Sequence, residues 1–446
     1  MDRMWCRVLA AVALCSAGHC ASAQFPFAGF EKIFTAGYTA LEVEQFTLDM
    51  RDRLQAVPGL ATLDTQQRFF TSQQAQLRHF DRMRLKGDER LLYDLLAYEI
   101  DYHLQRIALE QRWVQAGRPM PTRSLYELPE REAWYQLFVR RFTGTDITPE
   151  QVFQLGEQET QRCLKEIAAI RMELGGADSA TFQQGLTDER FFLTDKQQVL
   201  AGFARIDSTV RHHLQAFVAV DSVPLVHAME WPGAGANTPP GIYLAREDNG
   251  LNEDVFQFNF HGGRYNTRAM GWIYLHEAIP GHHLQSSLRR IYPPHDLREQ
   301  LLHPGNFEGW ACYVEYYGDE LGVYADPYQR LGKWEWDLVR SVRLVLDAGI
   351  HYYGWSHEQA LDYWKQHIPG QDAIAEREVT RVTNWAAQAL SYKVGADRLQ
   401  RMRDVLLGKL GKDFQPAAFH RDFLALGMVP LDVAERALID QGPDRP

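Results

Sequence analysis

Apolar positions recur at helical spacing through the first half of the chain. The longest pattern of this kind crosses a charged segment and contains Leu91, Leu92, Leu95, Leu96, Tyr98, Ile100, Leu104 and Ile107. Such spacing places apolar side chains on one continuous face of a helix. Thr148, followed by Pro149 and Gln151, has the composition of a helix start with a capping box. We therefore predict a helical N-terminal region over residues 24–225 that forms a wall of a cleft, with its charged side chains in solvent.

The pattern changes after residue 225. Two short runs rich in β-branched and aromatic residues, 241–245 and 255–260, are separated by turn-forming residues at 247–250. They predict two strands of a small sheet, shortly before the segment richest in histidine. The predicted fold class is mainly α-helical with a small β-sheet, and residues 226–446 form the second predicted region.

A later segment, residues 331–353, is apolar on most sides of its predicted helix. Its polar side chains Arg340, Arg343, Asp347 and His351 follow at steps of three and four residues, which confines them to a narrow stripe. A helix of this kind is buried, so the stripe faces something polar inside the protein. In one interpretation the arginines bind a substrate carboxylate with Asp347 beside them, and His351 donates to a developing oxyanion. In the other, the four side chains form an internal salt network.

The composition is that of a globular protein. The chain has 446 residues, of which 45% are hydrophobic and 12% aromatic, enough for a large core or two packed subdomains. A formal net charge of −11 argues against nucleic acids and anionic membrane surfaces as partners. No segment reaches the apolar length of a transmembrane helix, so none is expected. The oligomeric state is not fixed by the sequence.

The first residues have the features of a secretory signal. Two arginines precede an apolar run over 8–17, and small residues at 21–23 form a cleavage site. We expect residues 1–23 to be removed and the protein to be exported to the periplasm or the medium. Neither Cys15 nor Cys20 directly follows the small residue that a lipoprotein signal requires, so no lipid anchor is expected.

Most of the candidate chemistry lies in one short segment, HEAIPGHHLQ, which begins at His276. A His-Glu pair with further histidines supplies metal ligands and a general base. The common zinc-hydrolase helix has its second histidine four residues after the first, where this chain has Pro280–Gly281 instead. That pair permits a bulge or kink inside the helix that brings His282 beside His276. His276 and His282 are the preferred ligands and Glu277 the base. His283 is the weaker ligand candidate and is otherwise assigned to substrate binding; buried structural histidines are the alternative.

The third ligand is expected on the following helix, where residues 306–315 read NFEGWACYVE. Glu308 and Glu315 are seven residues apart and share one face. Glu308 is the predicted ligand because it lies nearest the turn back to the histidines, and a His/His/Glu set leaves a coordination position open for water. Glu315 is predicted to orient a histidine N–H, with a surface glutamate as the alternative. Cys312 lies between them, and we expect it and Cys163 to be free and buried.

A further candidate, Tyr392, follows Gln388 by four residues, which places both on one face of a predicted helix. A tyrosine O–H can stabilise the oxyanion of a tetrahedral intermediate without adding a charge. A core tyrosine with a satisfied hydroxyl is the competing interpretation.

Four conspicuous blocks follow one another along the chain: HEAIPGHHLQ, EGWACYVE, RSVRLVLDAGIHYYGWS and AAQALSYKVG. In this order they resemble the bacterial "domain of unknown function 885" family, which is grouped with gluzincin-type metallopeptidases. The resemblance runs through most of residues 240–405 and implies a gluzincin-like, largely helical metallopeptidase architecture. It also implies one zinc ion on His276, His282 and Glu308, and it supports Tyr392 as the oxyanion donor.

The expected function is therefore zinc-dependent hydrolysis of short peptides or related amides, with Glu277 accepting a proton from water. In peptidases of the resembling class an edge strand before the motif pairs with extended substrate, a role open to the strand 255–260; otherwise this strand only supports the site. Two other classes stay open: a metal-dependent hydrolase of a non-peptide amide or ester, and a catalytically silent binding protein of the same fold.

Overall fold

The computed structural model describes residues 26–43, 49–117, 119–176, 178–236, 238–368 and 370–440. The predicted signal peptide over residues 1–23, with Cys15 and Cys20, lies outside the described residues. Within the described ranges, no helix combines the length and the apolar composition needed to cross a bilayer.

Helices fill most of the described chain before residue 218, as the apolar spacing predicts. In order they are α1 (Phe27–Ala40), α2 (Met50–Gln55), α3 (Leu60–Leu77), α4 (Gly87–Ala116), α5 (Arg131–Thr143), α6 (Pro149–Glu173), α7 (Ser179–Gly185) and α8 (Lys196–Phe217). The predicted capping box opens α6: the Thr148 hydroxyl accepts the N–H of Gln151, and the Gln151 side chain accepts the N–H of Thr148.

The prediction that the charges of this region face solvent is wrong for α4. Glu99, His103, Arg106 and Glu110 are buried there, although each lies in a segment that reads as charged. Their burial is tolerated because they pair with one another and with other helices; for example, Arg106 forms a buried ion pair with Glu110.

The strands form two small sheets. They are β1 (Phe192–Leu193), β2 (His227–Glu230), β3 (Gly241–Leu244), β4 (Val255–Phe258) and β5 (Tyr265–Asn266). The larger sheet has the order β2-β4-β3, with β2 parallel and β3 antiparallel to β4, and β1 pairs antiparallel with β5. Because β4 is hydrogen-bonded on both sides, the strand predicted at 255–260 has no free edge. Of the two roles left open for it, pairing with substrate is excluded and support of the site remains.

The second half of the described chain is again helical. It contains α9 (Met270–Glu277), α10 (His282–Ile291), α11 (Pro304–Val314), α12 (Pro327–His351), α13 (His357–His367), α14 (Ala375–Asn384), α15 (Leu390–Leu410), α16 (Pro416–Ala425) and α17 (Leu431–Ile439). The fold is thus mainly helical with small sheets, as predicted. The division near residue 225 stays a prediction; one core cluster contains residues from both sides of it, including Phe203 and Phe256, whose rings lie 4.9 Å apart.

Two helices of this half approach each other unusually closely. A Cβ on Gly309 of α11 would lie 2.6 Å from the Cα of Gly395 on α15, a distance that real Cβ contacts do not show. Glycine at both positions therefore lets the two backbones touch. This contact fixes α11, which carries Glu308, against α15, which carries Tyr392.

Candidate metal centre

The histidine motif forms the end of one helix and the start of the next, and is not a bulge within one helix. Helix α9 ends at Glu277 and α10 begins at His282. Ala278 and Gly281 have non-helical backbone angles, with ψ of −108° and −131°. The carbonyl of Pro280 accepts a 2.8 Å hydrogen bond from the indole N–H of Trp310 on α11, which ties the break to the neighbouring helix. The Pro-Gly pair does bring His282 beside His276, but it does so by ending one helix and starting the next.

Three of the predicted ligands come together at this break. Oε2 of Glu308 lies 3.5 Å from Nε2 of His276 and 3.4 Å from Nε2 of His282. The two imidazoles are nearly perpendicular, with ring centroids 4.7 Å apart, and the ring of Phe307 stacks on His282. One ligand atom from each of the three residues lies within 4.8 Å of the others. We call these three residues the His/His/Glu cluster.

The donor set of the cluster suits a divalent cation. Oε2 of Glu308 is buried without a hydrogen-bond partner, although it faces two imidazole nitrogens. Burial opposes ionisation of this carboxyl, but the two histidines hold its pKa well below the usual range. Two nitrogens and one carboxylate oxygen close to a common point are the ligand types of a catalytic zinc site.

The carboxylate of Glu277 lies beside the cluster and is held by the sheet. Its Oε1 is 3.9 Å from Nε2 of His276, and its Oε2 accepts a 2.8 Å hydrogen bond from the backbone N–H of Tyr243 in β3. Burial raises the pKa of Glu277, and the nearby histidines His276 and His282 only partly offset this. The strand next to the cluster is therefore β3, one of the two edge strands of its sheet.

Glu315 lies behind the first histidine, where it was predicted. Its Oε1 is 2.7 Å from Nδ1 of His276, and its Oε2 accepts a 2.7 Å hydrogen bond from Arg340. This arrangement directs Nε2 of His276 toward the cluster, as a carboxylate behind a metal-ligating histidine does. Sγ of Cys312 lies 3.9 Å from the same Nδ1. Cys163 and Cys312 are both free and buried, as predicted.

Tyr392 lies beside the first histidine. Its ring is stacked with the imidazole of His276, with centroids 6.3 Å apart and planes 13° apart. Its hydroxyl accepts a 3.3 Å hydrogen bond from Arg381 on α14, and Arg381 also donates to the Gln388 side chain at 3.0 Å. Arg381 was not predicted from the sequence. The available signal was its position on a short helix between two of the conspicuous sequence blocks.

The predicted polar stripe on α12 is buried but is not a single network. Arg340 pairs with Glu315, and Arg343 pairs with Glu378 at 2.6 Å. Both arginines are only 2% exposed and are committed to these carboxylates, so neither is free to bind a substrate carboxylate as predicted. Among the described residues, no ion pair joins them to Asp347 or His351.

Asp347 and His351 form hydrogen bonds with backbone groups and not with the His/His/Glu cluster. Asp347 accepts hydrogen bonds from the Tyr135 hydroxyl at 2.6 Å and from the N–H of Ala387, and burial raises its pKa to about 8. Ala387 has a φ of +64°, so Asp347 stabilises the unusual turn that leads into α15 and Tyr392. Nδ1 of His351 accepts the N–H of Leu125, and its Nε2 contacts a backbone carbonyl, which leaves no ring nitrogen for an oxyanion.

His283 points away from its neighbour in sequence. Its Nε2 lies 3.0 Å from the carbonyl oxygen of Pro224, and its Nδ1 lies 3.4 Å from the Ser287 hydroxyl. It does not belong to the His/His/Glu cluster. Of the two histidines that the sequence left open, the structure therefore places His282 beside His276.

A cavity of about 730 Å³ lies against the first turn of α9. Its lining includes Trp272, one turn before His276 on α9, and Trp336, whose ring stacks on Trp272 with centroids 5.1 Å apart. It also includes Pro240, directly before β3, and Gln183 from the N-terminal region. Residues of the helical first half therefore line part of this cavity, while their role as a wall of a cleft at the His/His/Glu cluster stays a prediction.

Replacing Gly281 by alanine is expected to disturb the helix break and weaken metal binding. A Cβ at this position would lie 1.9 Å from the carbonyl oxygen of His276 and 2.4 Å from that of Leu275, so backbone must move. We expect a loss of about 1–3 kcal/mol in the free energy of unfolding, with weaker zinc binding because His282 follows directly. Thermal denaturation and zinc titration measure both effects. Gly235→Ala is the control because its Cβ would meet open space; equal behaviour of the two variants contradicts this prediction.

Comparison with known proteins identifies relatives by sequence pattern and by fold. The family model described as "Bacterial protein of unknown function (DUF885)" matches residues 109–438. No curated protein matches the chain.

Two solved structures share the fold. One is described as "the putative lipoprotein from Colwellia psychrerythraea"; it has a TM-score of 0.66 and 21% sequence identity, covering 92% of this chain and 74% of that chain. The other is "a putative lipoprotein of unknown function from Shewanella oneidensis", with a TM-score of 0.61 and 21% identity, covering 93% of this chain and 77% of that chain. At this identity the likeness is one of fold alone.

Proposed function

The chain belongs to the DUF885 family of bacterial proteins of unknown function, and from this premise we propose that it is a zinc-dependent hydrolase of short peptides or related amides. The observation that carries the proposal is the convergence of His276, His282 and Glu308 on one point, with the buried carboxylate of Glu277 beside it. The gluzincin-type architecture that the sequence blocks imply is part of the same proposal.

The chemistry follows from what each side chain can do at this point. Zn²⁺ held by His276, His282 and Glu308 would supply a Lewis acid that polarises a carbonyl and acidifies a water molecule. Glu277 accepts the proton of the attacking water and passes it to the leaving amine. Its raised pKa, caused by burial, brings this carboxyl nearer the range of an effective base, while the N–H of Tyr243 fixes its orientation.

The oxyanion that develops on the substrate needs a hydrogen-bond donor. Tyr392 is suited to this role because its ring is stacked with His276 and its hydroxyl still has a proton to donate. Burial raises the pKa of Tyr392, so the hydroxyl remains protonated at neutral pH. Asp347 supports this arrangement indirectly by holding the turn before α15.

An extended peptide fits the edge of the sheet beside the base. β3 is paired on one side only, with β4, and its Tyr243 N–H already points to Glu277. A substrate strand laid along this edge would meet backbone groups that are not used within the sheet, apart from the Tyr243 N–H that Glu277 holds. The role predicted for the strand 255–260 thus passes to β3 in this proposal.

We also propose that the protein is exported. The N-terminal signal features support this, and both structural relatives carry the description "putative lipoprotein". An exported zinc hydrolase would act on substrates of the periplasm or the cell exterior.

A digest of a mixed peptide library tests the proposed activity. The zinc-loaded protein is expected to hydrolyse short peptides, and a chelator is expected to abolish the products, with zinc restoring them; mass spectrometry reads the cleavage. A parallel set of acylated small molecules and esters is the comparison. Hydrolysis of those compounds alone, or activity unchanged by the chelator, would overturn the proposal.

A further inference from the structure

The side of the site next to α14 carries a local excess of positive charge. Three guanidinium groups, those of Arg343, Arg377 and Arg381, surround the single carboxylate of Glu378. Arg343 and Arg377 bind its two oxygens at 2.6 and 2.7 Å. Both oxygens of this carboxylate are therefore paired with Arg343 and Arg377, and neither oxygen is bound by the third guanidinium.

Arg381 carries this third guanidinium. Among the described residues, no carboxylate lies within ion-pairing distance of it, and its acceptors are neutral oxygens: the Gln388 amide and the Tyr392 hydroxyl. Its Nε is buried without any hydrogen-bond partner. Since a partly buried guanidinium is stabilised by a paired anion, this arrangement is suited to a ligand that supplies one.

Arg381 is also close to the reacting centre. Its Nη2 lies 3.3 Å from the hydroxyl of Tyr392, whose ring is stacked with the metal-ligand candidate His276. Burial opposes its charge, but Tyr392, Glu378 and, more weakly, Glu308 raise the pKa of Arg381. It therefore stays fully charged and is near enough to the cluster to interact with it electrostatically.

We propose that Arg381 binds a free carboxylate of the substrate, so that the enzyme acts on peptides or amides whose carboxyl terminus lies close to the bond that is cut. This inference rests on the proposed hydrolytic function. A guanidinium presents a planar fork that matches a carboxylate. Since Arg381 lies one hydrogen bond from the oxyanion donor Tyr392, and a residue spans about 3.3–3.6 Å, the carboxylate belongs about one or two residues beyond the scissile carbonyl.

Trialanine and its C-terminal amide form the test pair, because they differ only in the charge that Arg381 would bind. The zinc-loaded enzyme is expected to hydrolyse the free acid with a kcat/KM roughly tenfold to a hundredfold above that of the amide. Arg381→Gln is expected to remove this preference by slowing the acid, with the amide little changed. A purely structural role would slow both peptides together, and Arg381→Lys should restore part of the preference.

Arg401→Gln is the control, since it removes the same charge from an exposed position on α15, the helix of Tyr392, where Arg401 pairs with Asp397 and not with Glu378. It should keep the preference for the free acid. Equal rates for acid and amide in the parent enzyme, or a preference that survives Arg381→Gln, would overturn the inference.

Binding separates this inference from the proposed hydrolysis. Calorimetry with the Glu277→Gln protein measures affinity for both peptides without turnover. Tighter binding of the acid by roughly tenfold or more, lost when Arg381→Gln is added, supports carboxylate recognition even if no hydrolysis is found. Equal affinity for the two peptides, or binding of neither, contradicts it.

Discussion

Replacing Glu277 by glutamine is expected to lower kcat for peptide hydrolysis by ~10²–10⁴ while the protein stays folded and binds zinc. Glutamine has the same shape as glutamate. Its amide oxygen can accept the hydrogen bond of the Tyr243 N–H, whose nitrogen lies 2.8 Å from the carboxylate of Glu277 in the parent protein. It cannot accept a proton from water. Because Glu277 is not one of the three residues that form the cluster, metal binding should persist. Steady-state kinetics and elemental analysis on the same preparation measure the two effects.

The control for this variant is Glu247→Gln, an exposed glutamate in the turn after β3. It makes the same chemical change outside the site and should retain the parental rate. A Glu277→Gln protein that hydrolyses peptides as fast as its parent would remove Glu277 from the mechanism. Loss of zinc together with activity would instead make Glu277 part of the metal site.

Alanine at His276, His282 or Glu308 is expected to cause the largest loss of zinc affinity. If the zinc site is worth about 10–16 kcal/mol, the removal of one of three ligands costs about 3–5 kcal/mol, or a factor of roughly 10²–10⁴ in Kd. Each variant should therefore lose hydrolysis at low zinc. Competition against a fluorescent zinc chelator gives the dissociation constants.

His283→Ala is the matched control because the two histidines are adjacent in sequence. His283 contacts Pro224 and Ser287 and lies outside the cluster, so its variant should lose some stability but keep its zinc affinity. The opposite pattern, with zinc lost in His283→Ala and kept in His282→Ala, would show that the second ligand is wrongly assigned.

The sequence predicts the helical fold and the members of the cluster because these depend on local signals. The capping box at Thr148 and the apolar spacing of α4 are visible in the chain itself. The same is true of His276 and His282, since the Pro-Gly pair between them accounts for their unusual spacing. Glu308 follows from its place at the start of the next helix.

What the sequence could not predict depends on partners distant along the chain. Arg340 and Arg343 were expected to bind substrate, but Glu315 and Glu378, 25 and 35 residues away, neutralise them. For the strand 255–260 the sequence left two roles open, because sheet order, not local pattern, decides which strand lies at an edge. Arg381 went unpredicted since its direction toward Tyr392 depends on the turn that Asp347 holds.

Zinc-edge anomalous scattering from a crystal of the zinc-loaded protein tests the central claim most directly. The account predicts one strong difference peak between Nε2 of His276, Nε2 of His282 and an oxygen of Glu308, at about 2.0–2.2 Å from each. A second grouping of possible ligands, His276 with Cys312 and Glu315, lies on the other side of the same imidazole. A peak there, or no peak at either place, would contradict the proposed metal centre.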